Sequence, residues 1–159
     1  MTTMTDTKFT TSITLHAPIE RAFRVFTEGF DSWWPRGHHI GTANMAEAVL
    51  EPRLDGRWFE RGVDGSECDW GRVLAFNPPN HIALSWHLNG SWTYDPDPAR
   101  ASRVDVRFVA EDEHVTRVEL EHSGLDHHGS DWLDVRAGIS GEGGWTGLLQ
   151  RFAEAAKVG

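Results

Sequence analysis

The side chains of this sequence that could carry acid–base chemistry are an inward-facing histidine and a carboxylate among apolar residues. In TRVELEHSGL, His122 shares strand parity with Val118 and Leu120, so it should face the interior of a sheet. Glu60 shares parity with Trp58, and a carboxyl group in an apolar pocket could stay protonated and donate a hydrogen bond. His122 and Glu60 are therefore the candidates for a general acid or base, although an inward histidine can equally be an ordinary core residue. No set of nucleophile, base and orienting group is recognisable.

The remaining histidines raise the question of a metal site. Nine are present, and the clusters are HH at 38–39 and HSGLDHH at 122–128. Neither cluster has the i, i+4 spacing of helical ligands or a cysteine partner, and no glycine-rich phosphate-binding motif occurs. We therefore expect no metal and no cofactor. His87 has the parity opposite to Trp86 and is expected to be solvated.

Tryptophans are the second group of residues with chemical potential, because their flat apolar rings suit ligand cavities as well as cores. The chain has 8 of them in 159 residues. Trp33 and Trp34 are adjacent, so they cannot both face one core on a regular element. Trp58, Trp70 and Trp86 fall on predicted strands and face inward. Each alone could be ordinary core, but together they exceed what a packed core needs, which predicts that some line a cavity.

Hydrophobic periodicity indicates the elements that must position these side chains. Residues 8–16 read as a first strand, and APIERAFRVFTE as a helix with one apolar face. The segment SWWP follows as a second short helix or turn. From Ala46 onward the period changes to two and predicts six strands, at 46–51, 56–61, 68–76, 81–88, 103–111 and 115–122.

The last element is a long amphipathic helix from about 144 to 157. Its apolar stripe consists of Trp145, Leu148, Leu149, Phe152 and Ala156. Consecutive hairpins followed by one such helix predict an α+β fold, in which a curved antiparallel sheet wraps around the long C-terminal helix, with two short helices after the first strand. Such a wrap tends to leave a cavity between helix and sheet.

Charge and composition limit the partners. The formal net charge is −9, from 24 acidic and 15 basic residues, which disfavours nucleic acid and anionic membranes. The single Cys68 allows no intrachain disulfide, and the polar N-terminus and the lack of a run of about 20 apolar residues argue against export or a membrane span. We expect a cytoplasmic protein with one domain at 8–158 and a flexible N-terminus at 1–7.

The ordered segments APIERAFRVFTEGFDSWWP, LDGRWFERGVDGSECDWGRVLAFNPPNHIALSW, TRVELEHSGL and GWTGLLQRF resemble the homologues of the heat-shock protein 90 ATPase activator. That family belongs to the START-like (SRPBCC) superfamily with the helix-grip fold. The resemblance spans about Lys8 to Ala156 and implies a hydrophobic cavity between the C-terminal helix and the sheet, entered near the short helices. EGFxxWWP, WxLNG and TRVxxEH also resemble the self-sacrifice resistance proteins that quench enediyne antibiotics. Those proteins give up a backbone hydrogen, so no side-chain motif transfers that chemistry.

These observations predict a protein that binds a hydrophobic, aromatic or polyketide-like small molecule, for sequestration or resistance. The indole N–H groups and His122 are expected to orient the ligand, with Trp34 as a gate at the mouth. Two alternatives stay open, a cyclase- or hydrolase-type enzyme and a co-chaperone-like interaction protein, and a homodimer is also open. The predicted ligand-binding residues are Phe26, Trp33, Trp34, Trp58, Trp70, Trp86, His122, Trp145, Leu149 and Phe152.

Overall fold

The computed structural model describes residues 7–141 and 143–157. Along these residues, seven strands and three helices follow one another in the predicted order, and a fourth helix, which was not predicted, precedes the C-terminal one. They are β1 Phe9–Leu15, α1 Ile19–Thr27, α2 Phe30–Trp33, β2 Met45–Leu50, β3 Arg57–Gly62, β4 Glu67–Asn77, β5 His81–Trp86, β6 Ser102–Asp112, β7 Val115–Ser123, α3 Trp132–Ser140 and α4 Trp145–Ala156.

All seven strands form one antiparallel sheet in the order β1-β7-β6-β5-β4-β3-β2. Register shifts occur in four of its six strand pairs, including those between Trp58 and Phe59 and between Val73 and Ala75. Such bulges bend and twist a strand locally, which lets a sheet curl around a helix. The predicted α+β fold, a curved antiparallel sheet around a C-terminal helix, is confirmed.

Helix α4 occupies the concave side of the sheet and packs against β1, α1 and α2. The five residues of its predicted apolar stripe are all buried. Burial of one such aliphatic or aromatic side chain stabilises a fold by roughly 1.5–3 kcal/mol. The stripe therefore fixes which face of α4 meets the sheet, and it brings Trp145 to the start of the helix, at one end of the core.

Helix α3 was not predicted from the sequence. Only Val135 and Ile139 of this helix are buried, one helical turn apart, so its apolar stripe is too short to stand out from a loop. The helix packs against the short 3-10 segment Leu125–His128 that follows β7. Gly138 and Ile139 of this helix line the cavity described below.

The ends of the chain add two facts. The predicted flexible segment 1–7 lies outside the described residues except for Thr7, whose carbonyl accepts a hydrogen bond of 3.0 Å from Leu125 N. Within residues 7–141 and 143–157, no helix has the length and apolar composition needed to cross a bilayer.

Candidate ligand-binding site

A cavity of about 420 Å³ lies at the Trp145 end of α4. This volume is within the range of small-molecule sites in proteins. Gly37, Trp92 and Gly143 belong to its lining and are exposed, so the cavity opens to solvent. The full lining is Trp34, Gly37, His38, His39, Ile40, Trp70, Trp86, Trp92, Gly138, Ile139, Gly143, Gly144, Trp145 and Leu148.

Four buried tryptophans form a continuous wall of this cavity, here called the four-tryptophan wall: Trp34, Trp70, Trp86 and Trp145. Neighbouring rings make a closed cycle, with centroid distances of 5.3 Å (34 to 70), 5.7 Å (70 to 86), 5.7 Å (86 to 145) and 6.2 Å (145 to 34). Trp58 packs against three of the four rings and supports the wall from the core side without lining the cavity. Edge-to-face packing of this kind holds each ring in one orientation.

Each indole N–H of the wall donates to an acceptor inside the protein. The acceptors are the His38 carbonyl for Trp34 (3.0 Å), Glu60 Oε1 for Trp70 (2.9 Å), the Leu88 carbonyl for Trp86 (3.1 Å) and His122 Nδ1 for Trp145 (3.0 Å). These donors are therefore occupied, contrary to the expectation that indole N–H groups would orient a ligand. The wall offers a ligand apolar ring surface.

Six of the ten predicted ligand-binding residues do not line the cavity; His122 is described in the next paragraph, and the other five are buried in the core beneath the cavity. They are Phe26, Trp33, Trp58, Leu149 and Phe152. The rings of Phe26, Trp33 and Phe152 lie 5.0–5.6 Å apart and fill the space between α1, α2 and α4. Helical periodicity identifies the face that turns inward, but it does not tell how deep in the core a residue lies.

His122 faces inward as predicted, yet it is fully buried and does not line the cavity. Its Nδ1 accepts from Trp145, so its proton is on Nε2, which lies 2.7 Å from Ser102 Oγ. Ser102 Oγ lies 2.8 Å from His128 Nε2, and His128 Nδ1 is buried without a partner in the described structure. Burial, with a smaller effect from His128, lowers the pKa of His122 to about 3. The imidazole is thus a neutral acceptor that orients Trp145.

Glu60 is buried, as the apolar-pocket interpretation requires, but its two oxygens accept hydrogen bonds. Oε1 accepts from Ile40 N at 2.5 Å and from Trp70 Nε1 at 2.9 Å, and Oε2 accepts from Gly41 N at 3.2 Å. All three donors are N–H groups, so the carboxylate is bound within the protein. Glu60 therefore fixes the loop at 35–44, here called the mouth loop, against the sheet and also orients Trp70.

His87 is 5% exposed, so the prediction that it is solvated was wrong. The chain after β5 folds back over it: Nδ1 donates to the Asp95 carbonyl at 2.8 Å, and the Tyr94 ring lies 5.3 Å away. Its Nε2 accepts from Ser85 Oγ at 2.9 Å. This has the connectivity of a nucleophile, a base and an orienting group, but it lies on the face of β5 opposite to Trp86 and away from the cavity.

The mouth loop contributes two histidines to the lining, His38 and His39, both half-buried. His38 Nε2 donates to the Gly143 carbonyl at 2.8 Å and so links the mouth loop to the start of α4. His39 Nδ1 donates to the Gly41 carbonyl at 2.9 Å. Sequence reasoning considered this pair only as metal ligands. No group of three metal-ligating side chains occurs in the part of the chain that the structure describes.

Trp92 is the exposed aromatic ring of the cavity, with 42% of its surface accessible, whereas Trp34 is 3% exposed and forms wall instead of gate. Trp92 has φ = 58°, the left-handed region that a bulky residue rarely adopts. Bonds from Trp92 N to the Asn89 carbonyl and from Asn89 N to the Thr93 carbonyl hold this turn. The indole lies on the backbone of α3 at Gly138, where a Cβ would come within 2.4 Å of Trp92 Cζ2.

A curved antiparallel sheet that grips a long C-terminal helix is the architecture of the START-like proteins. Within that class, the chain belongs to the family described as activator of Hsp90 ATPase homolog 1-like protein, whose model matches residues 16–157. The resemblance inferred from the sequence is thereby confirmed. No curated protein matches the chain significantly.

Solved structures resemble this chain over nearly its whole length. The anthrahydroquino-γ-pyrone synthase Txn09, solved as a complex, is 36% identical, with a TM-score of 0.66 and coverage of 92% of this chain and 95% of that one. CalC, a self-sacrificing resistance protein from Micromonospora echinospora, is 31% identical, with a TM-score of 0.69 and coverage of 95% and 94%. An HSP90 activator from Plasmodium falciparum, PFC0360w, is 18% identical, with a TM-score of 0.55 and coverage of 84% and 88%, which shows the fold alone.

Proposed function

We propose that this protein binds a flat, apolar aromatic small molecule in the cavity bounded by the four-tryptophan wall. The observation that carries the proposal is that four ordered indole rings face one open cavity while all their N–H groups are bound elsewhere. Such a surface suits a fused aromatic ring system, because burial of apolar area contributes about 25 cal/mol per Å² before the costs of association.

Two relatives above 30% identity support an aromatic or polyketide-like ligand. One is named as a synthase of an anthrahydroquino-γ-pyrone, and the other as a self-sacrificing resistance protein. Transferred to this chain, these names support sequestration of, or resistance to, a compound of that type. The Plasmodium HSP90 activator shares only the fold, so it adds nothing to the co-chaperone alternative.

A titration with 9,10-anthraquinone, followed by tryptophan fluorescence and native mass spectrometry, tests the proposal. We expect saturable quenching and a one-to-one complex, because five of the eight tryptophans line the cavity. Leu148→Trp should abolish binding by filling the cavity, whereas Trp132→Phe, on α3 outside the lining, should leave it unchanged. Thermal unfolding of both variants checks that they fold. Absence of saturation, or undiminished binding by folded Leu148→Trp, would overturn the proposal.

A second candidate function is acid–base catalysis on the same ligand, such as a ring closure. It is favoured by the two imidazoles of the lining, His38 and His39, whereas the earlier candidates His122 and Glu60 are bonded inside the protein. His39 Nε2 would take the proton of a ligand hydroxyl while the oxygen adds to a C=C bond conjugated to a carbonyl group of the same ligand. The π electrons of that bond would move to the carbonyl group, and the imidazolium would return the proton to the resulting enolate, so that the closure is an addition with no leaving group. The test is turnover of a ring-opened precursor. Turnover that is retained by His122→Asn but lost in His39→Phe would support this function, and absence of turnover by the wild type would exclude it.

A further inference from the structure

The polar groups that line the cavity are few and lie at its opening. The four-tryptophan wall has no free N–H, and Ile40, Ile139 and Leu148 are apolar. Among the described lining residues, the side-chain atoms without a hydrogen-bond partner are His38 Nδ1, His39 Nε2 and Trp92 Nε1. Lining side chains can therefore match a polar part of a ligand only at this end of the cavity.

Backbone carbonyls decide what these two imidazoles offer. A carbonyl oxygen only accepts, so the ring nitrogen that faces it carries the proton in a neutral imidazole, and the other nitrogen is left as an acceptor. Gly143 O fixes His38 with its proton on Nε2, and Gly41 O fixes His39 with its proton on Nδ1. The remaining nitrogens, His38 Nδ1 and His39 Nε2, are both hydrogen-bond acceptors.

The opening thus offers two acceptors, His38 Nδ1 and His39 Nε2, and one donor, Trp92 Nε1, beside an apolar aromatic wall. The two acceptors are complementary to a hydrogen-bond donor on the edge of a flat ligand. We infer that the cavity selects aromatic ligands with a hydroxyl group at the edge that lies in the opening, and that His39, assisted by His38, accepts the hydrogen bond of this hydroxyl. The inference rests on the proposed function and names the substrate class of that site, a phenolic fused-ring compound. The two imidazoles are half-buried, and their acceptor nitrogens reach water before a ligand binds. A bound ligand that covers these nitrogens without donating a hydrogen bond takes that water away, which costs free energy, so a ligand without the hydroxyl is disfavoured.

A matched pair of ligands tests the inference, 2-hydroxyanthraquinone and 2-methoxyanthraquinone. They share the same ring system, but only the first can donate a hydrogen bond. We expect the wild type to bind the hydroxy compound about tenfold more tightly, the effect of one hydrogen bond of about 1.4 kcal/mol. His39→Phe keeps an aromatic ring in the lining but removes the acceptor, so it should lower the affinity for the hydroxy compound and leave that for the methoxy compound unchanged.

Control variants separate recognition from structure. His114→Phe makes the same substitution in the exposed β6–β7 turn and should preserve the preference. His38→Phe also removes the hydrogen bond to Gly143, which could change the affinity for both compounds. For the double variant His38→Phe/His39→Phe we therefore compare only the ratio of the affinities for the hydroxy and methoxy compounds, which should fall to about one.

The outcomes distinguish this inference from the function on which it rests. Equal affinities of the wild type for the two compounds, or an equal loss of both in His39→Phe, would overturn the hydroxyl inference while leaving the aromatic site intact. Failure of both compounds to bind the wild type would overturn the proposed function and this inference with it.

Discussion

Trp145 donates its indole N–H to His122 Nδ1 across 3.0 Å, so one ring of the cavity wall is oriented by a fully buried histidine of β7. The chain of contacts continues from His122 to Ser102 and on to His128. The orientation of the wall thus depends on polar groups that a ligand does not touch. Substitution or protonation of these buried groups should therefore alter the orientation of the Trp145 ring.

Acid should destabilise the protein through His122 and His128, the two buried histidines that are linked through Ser102. Burial is the main reason that the pKa falls from 6.5 to about 3 for His122 and to about 4 for His128; for the latter, Asp131 acts in the opposite direction. Below about pH 6.5 these two histidines are protonated in the unfolded chain but stay neutral in the folded protein. Protons therefore favour the unfolded chain, and the free energy of unfolding is highest above that pH and falls as the pH is lowered. We expect a loss of about 2 kcal/mol per histidine between pH 7.5 and 5.

Urea unfolding at several pH values measures this loss, and NMR titration should show both imidazoles neutral in the folded protein at pH 5. A stability that does not change over this range would contradict the assignment. So would a His122 ring that titrates near its ordinary range while the protein stays folded.

Gly138→Ala should weaken ligand binding without unfolding the protein. The new Cβ would lie 2.4 Å from Trp92 Cζ2 and 2.7 Å from Cη2, so the indole must move away from α3. Alanine also favours the helix by about 1 kcal/mol, which offsets the lost contact. We therefore expect a small net change in melting temperature. Acrylamide should quench the tryptophan fluorescence more strongly, because the displaced Trp92 ring is more exposed, and the Kd for 9,10-anthraquinone should rise several-fold.

The matched control for this substitution is Gly147→Ala in α4, where no heavy atom lies within 4 Å of the added carbon. It should show the gain in helix stability alone, with unchanged binding. Identical behaviour of the two variants would mean that the contact between Trp92 and Gly138 has no role in the cavity.

The positive φ of Trp92 leads us to predict that glycine at this position is more stable than alanine. Trp92→Ala and Trp92→Gly both remove the ring and should weaken binding equally. Glycine adopts φ = 58° without the steric cost that a Cβ imposes, so Trp92→Gly should be more stable than Trp92→Ala by about 1 kcal/mol. Chemical unfolding of the pair measures the difference, and a more stable alanine variant would show that this turn is not strained.

Glu60→Gln should loosen the mouth loop. The carboxylate accepts from three N–H groups, and an amide can present only one oxygen to them, so at least one buried donor loses its partner. The expected loss of stability is about 2 kcal/mol. Hydrogen exchange of the Ile40 and Gly41 amides should become faster, whereas Glu113→Gln in the exposed β6–β7 turn should change neither quantity. Protected amides in the Glu60 variant would refute this role.

The sequence predicted most of the elements because their signals are periodic. The stripe of α4 from Trp145 to Ala156 and the inward parity of Trp70 and Trp86 rest on residue spacing alone, and all these residues are buried. Periodicity also oriented His122 inward. It could not reveal that Trp145 donates to this histidine, because that contact joins residues 23 positions apart on different elements.

The opening of the cavity was less predictable for the same reason. His38, His39 and Trp92 lie in irregular segments, where no alternation indicates which way a side chain faces. Gly138 belongs to α3, whose buried stripe is too short to identify from the sequence. His87 was misjudged because strand parity assumes that the outer face of a sheet meets water, whereas Tyr94 and Asp95 fold back over it.

The occupied N–H groups of the four-tryptophan wall also determine how water behaves in the cavity before a ligand binds. An ordered water molecule needs two to four polar partners, and the wall supplies none, so solvent there should be sparse and weakly held. Entry of an aromatic ligand would then displace water that makes few hydrogen bonds, and calorimetry should find binding driven by enthalpy at 25 °C with a negative heat-capacity change. The four-tryptophan wall would thus bind its ligand in part because water solvates the wall poorly.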